Sequence, residues 1–204
     1  MIQRLPLADL NHVVAGLDPA HWEELRSKRI FLTGGTGFFG KWLLESFLHA
    51  NREHKLGAKL CILTRNPTAF LDSNPTLADQ KDVVFYRGDV RDFPFPPEAF
   101  SHVIHAATDA SATLNETDPL AMIDVITQGT RRVLEFARHS GAQKFLLTSS
   151  GAVHGRQPFE LTHLPENYAG APDLTQPKWA YGEGKRLAEL YCTIYHHKFG
   201  LETK

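Results

Sequence analysis

Along most of the chain, short apolar runs alternate with longer stretches of helical period. Arg29-Ile30-Phe31-Leu32, residues 58–64, Val83-Val84-Phe85-Tyr86, residues 102–107 and residues 144–148 read as buried strands, and Leu201-Glu202-Thr203 reads as the start of a sixth. Residues 38–50 carry Phe39, Leu43, Leu44, Phe47 and Leu48 at the spacing of one helix face. Two longer helices are predicted, one from Asp118-Pro119 to about His139 before Gly141, the other from Trp179 to Phe199 before Gly200. Asp18-Pro19 carries the same cap-and-proline signal ahead of a short helix. Residues 1–28 therefore read as an N-terminal surface extension and 29–204 as one domain. Three segments lack a period: 65–80, expected to be a long and mobile connection, Phe93-Pro94-Phe95-Pro96-Pro97, and 155–177. Strands alternating with helices predict an α/β fold, a doubly wound parallel sheet covered on both faces.

In such a sheet ligands sit beyond the carboxyl ends of the strands, where the strand order reverses. The first strand runs into Thr33-Gly34-Gly35-Thr36-Gly37-Phe38-Phe39-Gly40, in which Gly35, Gly37 and Gly40 satisfy G-x-G-x-x-G. A strand turning tightly into a helix aims free N–H groups and the positive end of a helix dipole at one point, where a pyrophosphate fits. That context makes the segment a dinucleotide-binding turn of the Rossmann type. Arg65, Asp89, Ala106-Ala107 and Ser149-Ser150 also follow strand ends and are expected to share its crevice.

Composition narrows the picture by exclusion. With 204 residues, 42% hydrophobic and 22% charged, the chain suffices for one domain with a sizeable core. A net charge of -1 gives no broad basic field, so neither nucleic acid nor an anionic membrane is an expected partner. Two cysteines far apart in sequence suggest neither a disulfide framework nor a metal pair, and a reducing, cytoplasmic setting fits. No run approaches the ~20 apolar residues of a membrane span, and the N-terminus lacks the layout of a signal peptide. The eleven histidines show no H-E-x-x-H, and no metal is expected.

Two further elements suggest redox chemistry. Tyr181 and Lys185 are four residues apart on the last helix, so the ammonium can lie near the phenol and favour phenolate; the same spacing also occurs on solvated helix faces. A serine hydroxyl at the end of the fifth strand could hold a carbonyl or alcohol for hydride transfer. Gly182 and Gly184 cost helix stability, which suggests that something approaches the backbone there.

Taken in order, these elements resemble the extended short-chain dehydrogenase/reductase family, in particular its NAD(P)-dependent epimerase/dehydratase group, which acts largely on nucleotide sugars. The matches are T-G-x-x-G-x-x-G at Thr33 to Gly40, Gly-Asp-x-x-Asp at Gly88, Asp89 and Asp92, H-A-A at His105 to Ala107, the serine element, and Y-x-x-x-K. The resemblance implies Ser150 as the catalytic hydroxyl, Tyr181 as acid/base and Lys185 as the group that holds the nicotinamide ribose and tunes Tyr181. It further implies a cofactor site formed by Thr33, Gly34, Gly37, Phe38, Phe39, Gly40, Arg65, Asp89, Val90, Ala106, Ala107 and Lys185, with Asp89 and Val90 flanking the adenine.

The chain departs from the family pattern in three places. Ile126 stands where an Asn usually precedes Gly-Thr, His154 replaces the tyrosine of Val-Tyr-Gly, and Gly151-Ala152 replaces the Asp-Glu pair of the sugar 4,6-dehydratases, which disfavours 4,6-dehydration. Thr64-Arg65-Asn66 offers no acid for a ribose 2′-hydroxyl, so Arg65 tilts the cofactor toward NADP, although it could also stack on adenine or face solvent. Family members carry a smaller C-terminal substrate domain, which is apparently absent from a chain ending at Lys204. The chain is thus expected to bind a dinucleotide yet turn over a nucleotide sugar poorly by itself. The resemblance also implies a homodimer through the helices after the fourth and fifth strands, where Ile123, Ile126, Leu134, Leu187, Leu190 and Ile194 serve either that contact or the core. The alternative function is a non-catalytic dinucleotide sensor on the same fold.

Overall fold

The computed structural model describes residues 5–108 and 111–204; residues 1–4 of the N-terminal segment lie outside the described residues. Six strands, β1 (Arg29–Thr33), β2 (Lys59–Thr64), β3 (Val83–Arg87), β4 (His102–His105), β5 (Lys144–Leu147) and β6 (Glu202–Thr203), form one sheet in the order β3-β2-β1-β4-β5-β6. Every pairing is parallel, with Phe31 opposite Cys61 on one side and Val103 on the other. The order reverses between β1 and β4, which makes this the doubly wound Rossmann arrangement.

The strand period of two splits the core into two layers. Phe31, Cys61, Leu63, Val103 and Phe145 point to helices α6 (Pro119–His139) and α7 (Ala180–Phe199). Phe31 anchors that layer, with ring centroids 4.4 Å from Phe136 and 5.3 Å from Phe100. Ile30, Leu32, Leu60 and Ile62 point the other way, toward helix α3 (Phe38–Glu53). The proline-rich connector is pinned rather than free: Phe93 is buried, and Arg132 donates to its carbonyl at 2.7 Å.

Two N-terminal helices, α1 (Leu7–Ala15) and α2 (Pro19–Glu23), lie on the α3 side; Leu10 and Trp22 are buried, and His49 Nε2 of α3 lies 2.7 Å from Asn11 Oδ1. The connection expected to be long and irregular is instead ordered as α4 (Pro67–Ser73) and a 3-10 turn, Pro75–Leu77. Asn66 caps α4 by accepting from the Ala69 N–H at 3.1 Å, and Pro67 opens it. A further short helix, α5 (Ala112–Thr117), is capped by Ser111.

The α3 side holds a trough of about 550 Å³ between α3 and the sheet, with Trp42, Leu43 and Phe47 on one wall and Ile104 and Leu146 on its floor. Leu146 is 42% exposed there, whereas the opposite face of β5 is covered by α6 and α7. Among the described residues no helix is long and apolar enough to cross a membrane.

Candidate functional site

The smaller hollow, about 410 Å³, opens at the carboxyl ends of β1, β2, β3 and β4, at the reversal of strand order. It is more polar than the trough, which is lined almost wholly by hydrocarbon and offers little to a charged ligand. Its floor is the glycine turn. Gly34 has φ +72°, and a Cβ on it would lie 2.5 Å from the Ala106 carbonyl; a Cβ on Gly40 would lie 2.1 Å from the Gly34 oxygen. The first turn of α3 is thus pressed onto the loop that precedes it. Gly37 caps α3 with no side-chain bond, so the leading N–H groups of the helix remain for an anion.

Ten residues expected at the cofactor line this hollow: Gly34, Gly37, Phe38, Phe39 and Gly40 from the turn, Arg65 beyond β2, Asp89 and Val90 beyond β3, and Ala106 and Ala107 beyond β4. Phe38 and Phe39 are largely exposed, with their rings edge to face. Thr33 is placed differently. It is fully buried beneath the turn, where its Oγ1 accepts from the Ala107 N–H at 3.2 Å and lies 2.7 Å from His105 Nδ1.

His105 continues that link, with Nε2 3.1 Å from Thr130 Oγ1 of α6. Burial, reinforced by the charge of Lys185, depresses it from 6.5 to about 3, so the imidazole bridges the two threonines in its neutral form. Below pH 6.5 the unfolded chain takes up a proton that the native chain refuses, and stability falls with pH until about 3. Chemical denaturation should lose about 1.6 kcal/mol between about pH 6.5 and pH 5 through this group. His105→Asn should flatten that slope; an unchanged slope would assign the proton to another group.

At the β2–β3 end, Arg65 borders the hollow, while the Asn66 side chain is consumed in capping α4. Asp89 is held by Arg91 through a two-pronged pair, Nε to Oδ1 at 2.9 Å and Nη2 to Oδ2 at 3.1 Å. That pair keeps its carboxyl below the usual range, with Arg65 adding to the effect.

At the β4–β5 end, Lys185 is buried, and its Nζ donates to Thr108 Oγ1 at 2.7 Å and to the Thr148 carbonyl at 2.8 Å. Burial lowers it to about 8, opposed by Glu189, so it is charged at neutral pH and close to releasing a proton. Nζ lies 6.0 Å from the centroid of the Tyr181 ring. Ser150 begins a 3-10 turn, Gly151–His154, and its Oγ accepts from the Ala152 N–H at 3.2 Å, leaving the hydroxyl hydrogen to donate. Ser149 turns away and donates to Glu189.

The helix glycines have protein neighbours rather than a demonstrated ligand. A Cβ on Gly182 would meet the Ala152 carbonyl at 2.8 Å, and one on Gly184 would meet Ile126 Cδ1 at 3.1 Å. Gly182 therefore lets the Ser150 turn pack against the turn that bears Tyr181. Asn115 of α5 fastens the same helix start, accepting from the Tyr181 N–H at 3.1 Å and donating to the Lys178 carbonyl at 2.7 Å.

Sequence reasoning missed Thr36, Arg91, Thr108 and Asn115. Thr36 lies inside the glycine motif and Arg91 two residues from Asp89, so both had a local signal. Thr108 directly follows Ala106-Ala107 and so had a local signal for the hollow, but its bond to Lys185 across 77 residues and that of Asn115 to Tyr181 across 66 had none.

Residues 30–204 match the NAD dependent epimerase/dehydratase family. The chain is 31% identical over 176 residues to UDP-glucuronic acid decarboxylase 1 of Arabidopsis thaliana, covering 86% of this chain and 38% of that protein. It is 28% identical over 167 residues to UDP-glucose 4-epimerase of Neisseria meningitidis serogroup C, covering 79% and 46%. Among solved structures, the complex of Thermus thermophilus UDP-glucose 4-epimerase with NAD is similar, with a TM-score of 0.65 and 27% identity over 86% of this chain and 53% of that one. The chain spans about half the length, or less, of the relatives it matches.

Proposed function

This chain belongs to the NAD dependent epimerase/dehydratase family, and from that premise we propose that it forms the dinucleotide-binding, hydride-transfer part of an enzyme acting on a nucleotide sugar. Residues 29–204 make up that part and 1–28 precede it. The observation that carries the reading is the glycine turn. It presses the first turn of α3 onto the backbone around it, since Cβ atoms on Gly34 or Gly40 would lie within 2.5 Å of that backbone, and so holds a helix start with no side-chain cap at the edge of the hollow. A bound NAD(P) supplies a hydride acceptor there.

The remaining roles fall to the chain's own residues. Ser150 donates its hydroxyl hydrogen to the sugar oxygen and fixes its place. Tyr181 takes the proton of the reacting sugar hydroxyl, and the Lys185 ammonium stabilises the charge that develops on the phenol oxygen. Epimerisation and decarboxylation share this start, simple reduction runs it in reverse with Tyr181 giving the proton, and Gly151-Ala152 argues against 4,6-dehydration. Near-ultraviolet absorbance of bound cofactor tests the reading, with UDP-glucose and UDP-glucuronic acid as probes. A spectral change on adding either supports it; no change with either in the full-length protein would favour a dinucleotide sensor.

Arg65 supports NADP as the cofactor, because neither Thr64 nor Asn66, whose side chain caps α4, offers an acid to a ribose 2′-hydroxyl. Arg65→Ala should weaken NADP about 10-fold more than NAD, since a charge-assisted pair to phosphate is lost. Equal losses in a binding titration would remove the 2′-phosphate assignment. A homodimer would use Leu190 and Ile194 of α7, which are 52% and 43% exposed; Ile126 and Leu134 are core. Buried, unpaired Cys61 and Cys192 suit a reducing cytoplasm.

A further inference from the structure

Lys185 is a buried cation, and such a charge is tolerated only where acceptors surround it. Among the described residues it has two, the Thr148 carbonyl at 2.8 Å and the Thr108 hydroxyl at 2.7 Å. Helix α6 contributes none at that level: Ile126 packs on Gly184, one residue from Lys185, and presents hydrocarbon. The carbonyl is fixed by the backbone of every variant. The hydroxyl is a side-chain choice, and it sits in the wall of the dinucleotide hollow beside Ala107.

We infer that Thr108 is the positioning residue of the site: its hydroxyl accepts from Lys185, fixes the ammonium beside Tyr181, and joins that ammonium to the wall of the cofactor hollow. This rests on the reading of Tyr181 and Lys185 given above. Lys185 has three N–H donors, and the two protein bonds leave one for the ligand or the phenol. Without the hydroxyl the ammonium would be short of an acceptor in a buried place, so its charged form would lose ground to the neutral amine. The titratable groups facing Lys185 are Tyr181 and Glu189 on its own helix and His105 on β4. Glu189 is drawn aside by Ser149, and His105 is neutral through the working range, so neither replaces the hydroxyl.

The test follows the Lys185 ammonium by NMR in ligand-free chain grown with isotope-labelled lysine, its signal identified by its loss in Lys185→Arg. Thr108→Val removes the hydroxyl at nearly constant volume and should lower the Lys185 titration midpoint by about one pH unit. Thr108→Ser restores an acceptor and should return the midpoint to that of the parent, a rescue that packing alone would not produce. Thr108→Ala gives the same reading as Val without a buried methyl if Val disturbs the fold, which thermal unfolding checks. A midpoint unchanged in both Val and Ala, or lowered equally in Ser, overturns the inference. NADP binding by the parent chain is measured separately by tryptophan fluorescence: failure there removes the dinucleotide reading and leaves the Thr108–Lys185 result standing on its own.

Discussion

Gly40→Ala should strongly weaken dinucleotide binding and destabilise the fold. The new Cβ would lie 2.1 Å from the Gly34 oxygen, 2.4 Å from Gly35 Cα and 2.6 Å from the Gly35 carbonyl carbon, all backbone atoms that no rotamer change can move. Overpacking usually costs about 1–3 kcal/mol, and a clash wholly with backbone belongs at or above the upper end. The alternative to unfolding is for α3 to slide away from the turn, which separates the leading N–H groups of the helix from the place a pyrophosphate would occupy. Binding should then weaken by at least about 100-fold, equivalent to about 2.7 kcal/mol. Denaturant midpoints and a cofactor titration read the two costs. Gly151→Ala is the control, since a Cβ there meets nothing within 4 Å. Equal stability and equal binding in the Gly40 and Gly151 variants would show that the close approach of α3 is not needed.

The second large effect is kinetic. Tyr181→Phe deletes one oxygen from a helix start held at both ends by Asn115 and packed on the Ser150 turn through Gly182, so the fold has no reason to change. Removing a general base typically costs roughly 10²–10⁴-fold in rate. Cofactor reduction by a nucleotide sugar should fall by that factor while the cofactor dissociation constant stays within about 2-fold, because the lost group serves the reacting proton rather than the dinucleotide. A variant that keeps a tenth or more of the parent rate would take the proton-transfer role away from Tyr181.

Much of the architecture can be read from periodicity, for reasons visible in particular elements. Strands buried on both faces appear as unbroken apolar runs, and α3, α6 and α7 are long enough to display a helical stripe. The misses are the nine-residue α1, within the segment expected to be a surface extension, and the shorter α4 and α5. Asn66-Pro67 carries the same cap-and-proline signal as Asp18-Pro19 and Asp118-Pro119, yet the seven residues of α4 span too few turns to show a period among prolines and asparagines. The six-residue α5 is shorter still. At the site, the wall of the hollow is legible because each piece follows a strand end and topology alone gathers strand ends. Gly182 and Gly184 announce that space is required, but sequence cannot say that Ala152 and Ile126 are the neighbours. The partners of Lys185 and of the Tyr181 backbone escape because Thr108 and Asn115 reach them through the tertiary fold, with no spacing rule to betray the contact.

The hydrocarbon trough beneath α3 bears on how solution measurements of this chain are interpreted. Dyes that brighten in apolar surroundings are commonly used to detect loosened cores. Here a properly packed molecule already offers such dyes a berth between Trp42 and Leu146. Fluorescence from a bound dye would therefore not by itself signal partial unfolding, and melting curves built on it would start from a raised baseline. Far-ultraviolet dichroism, which follows the helices, is the signal on which the variants above should be compared.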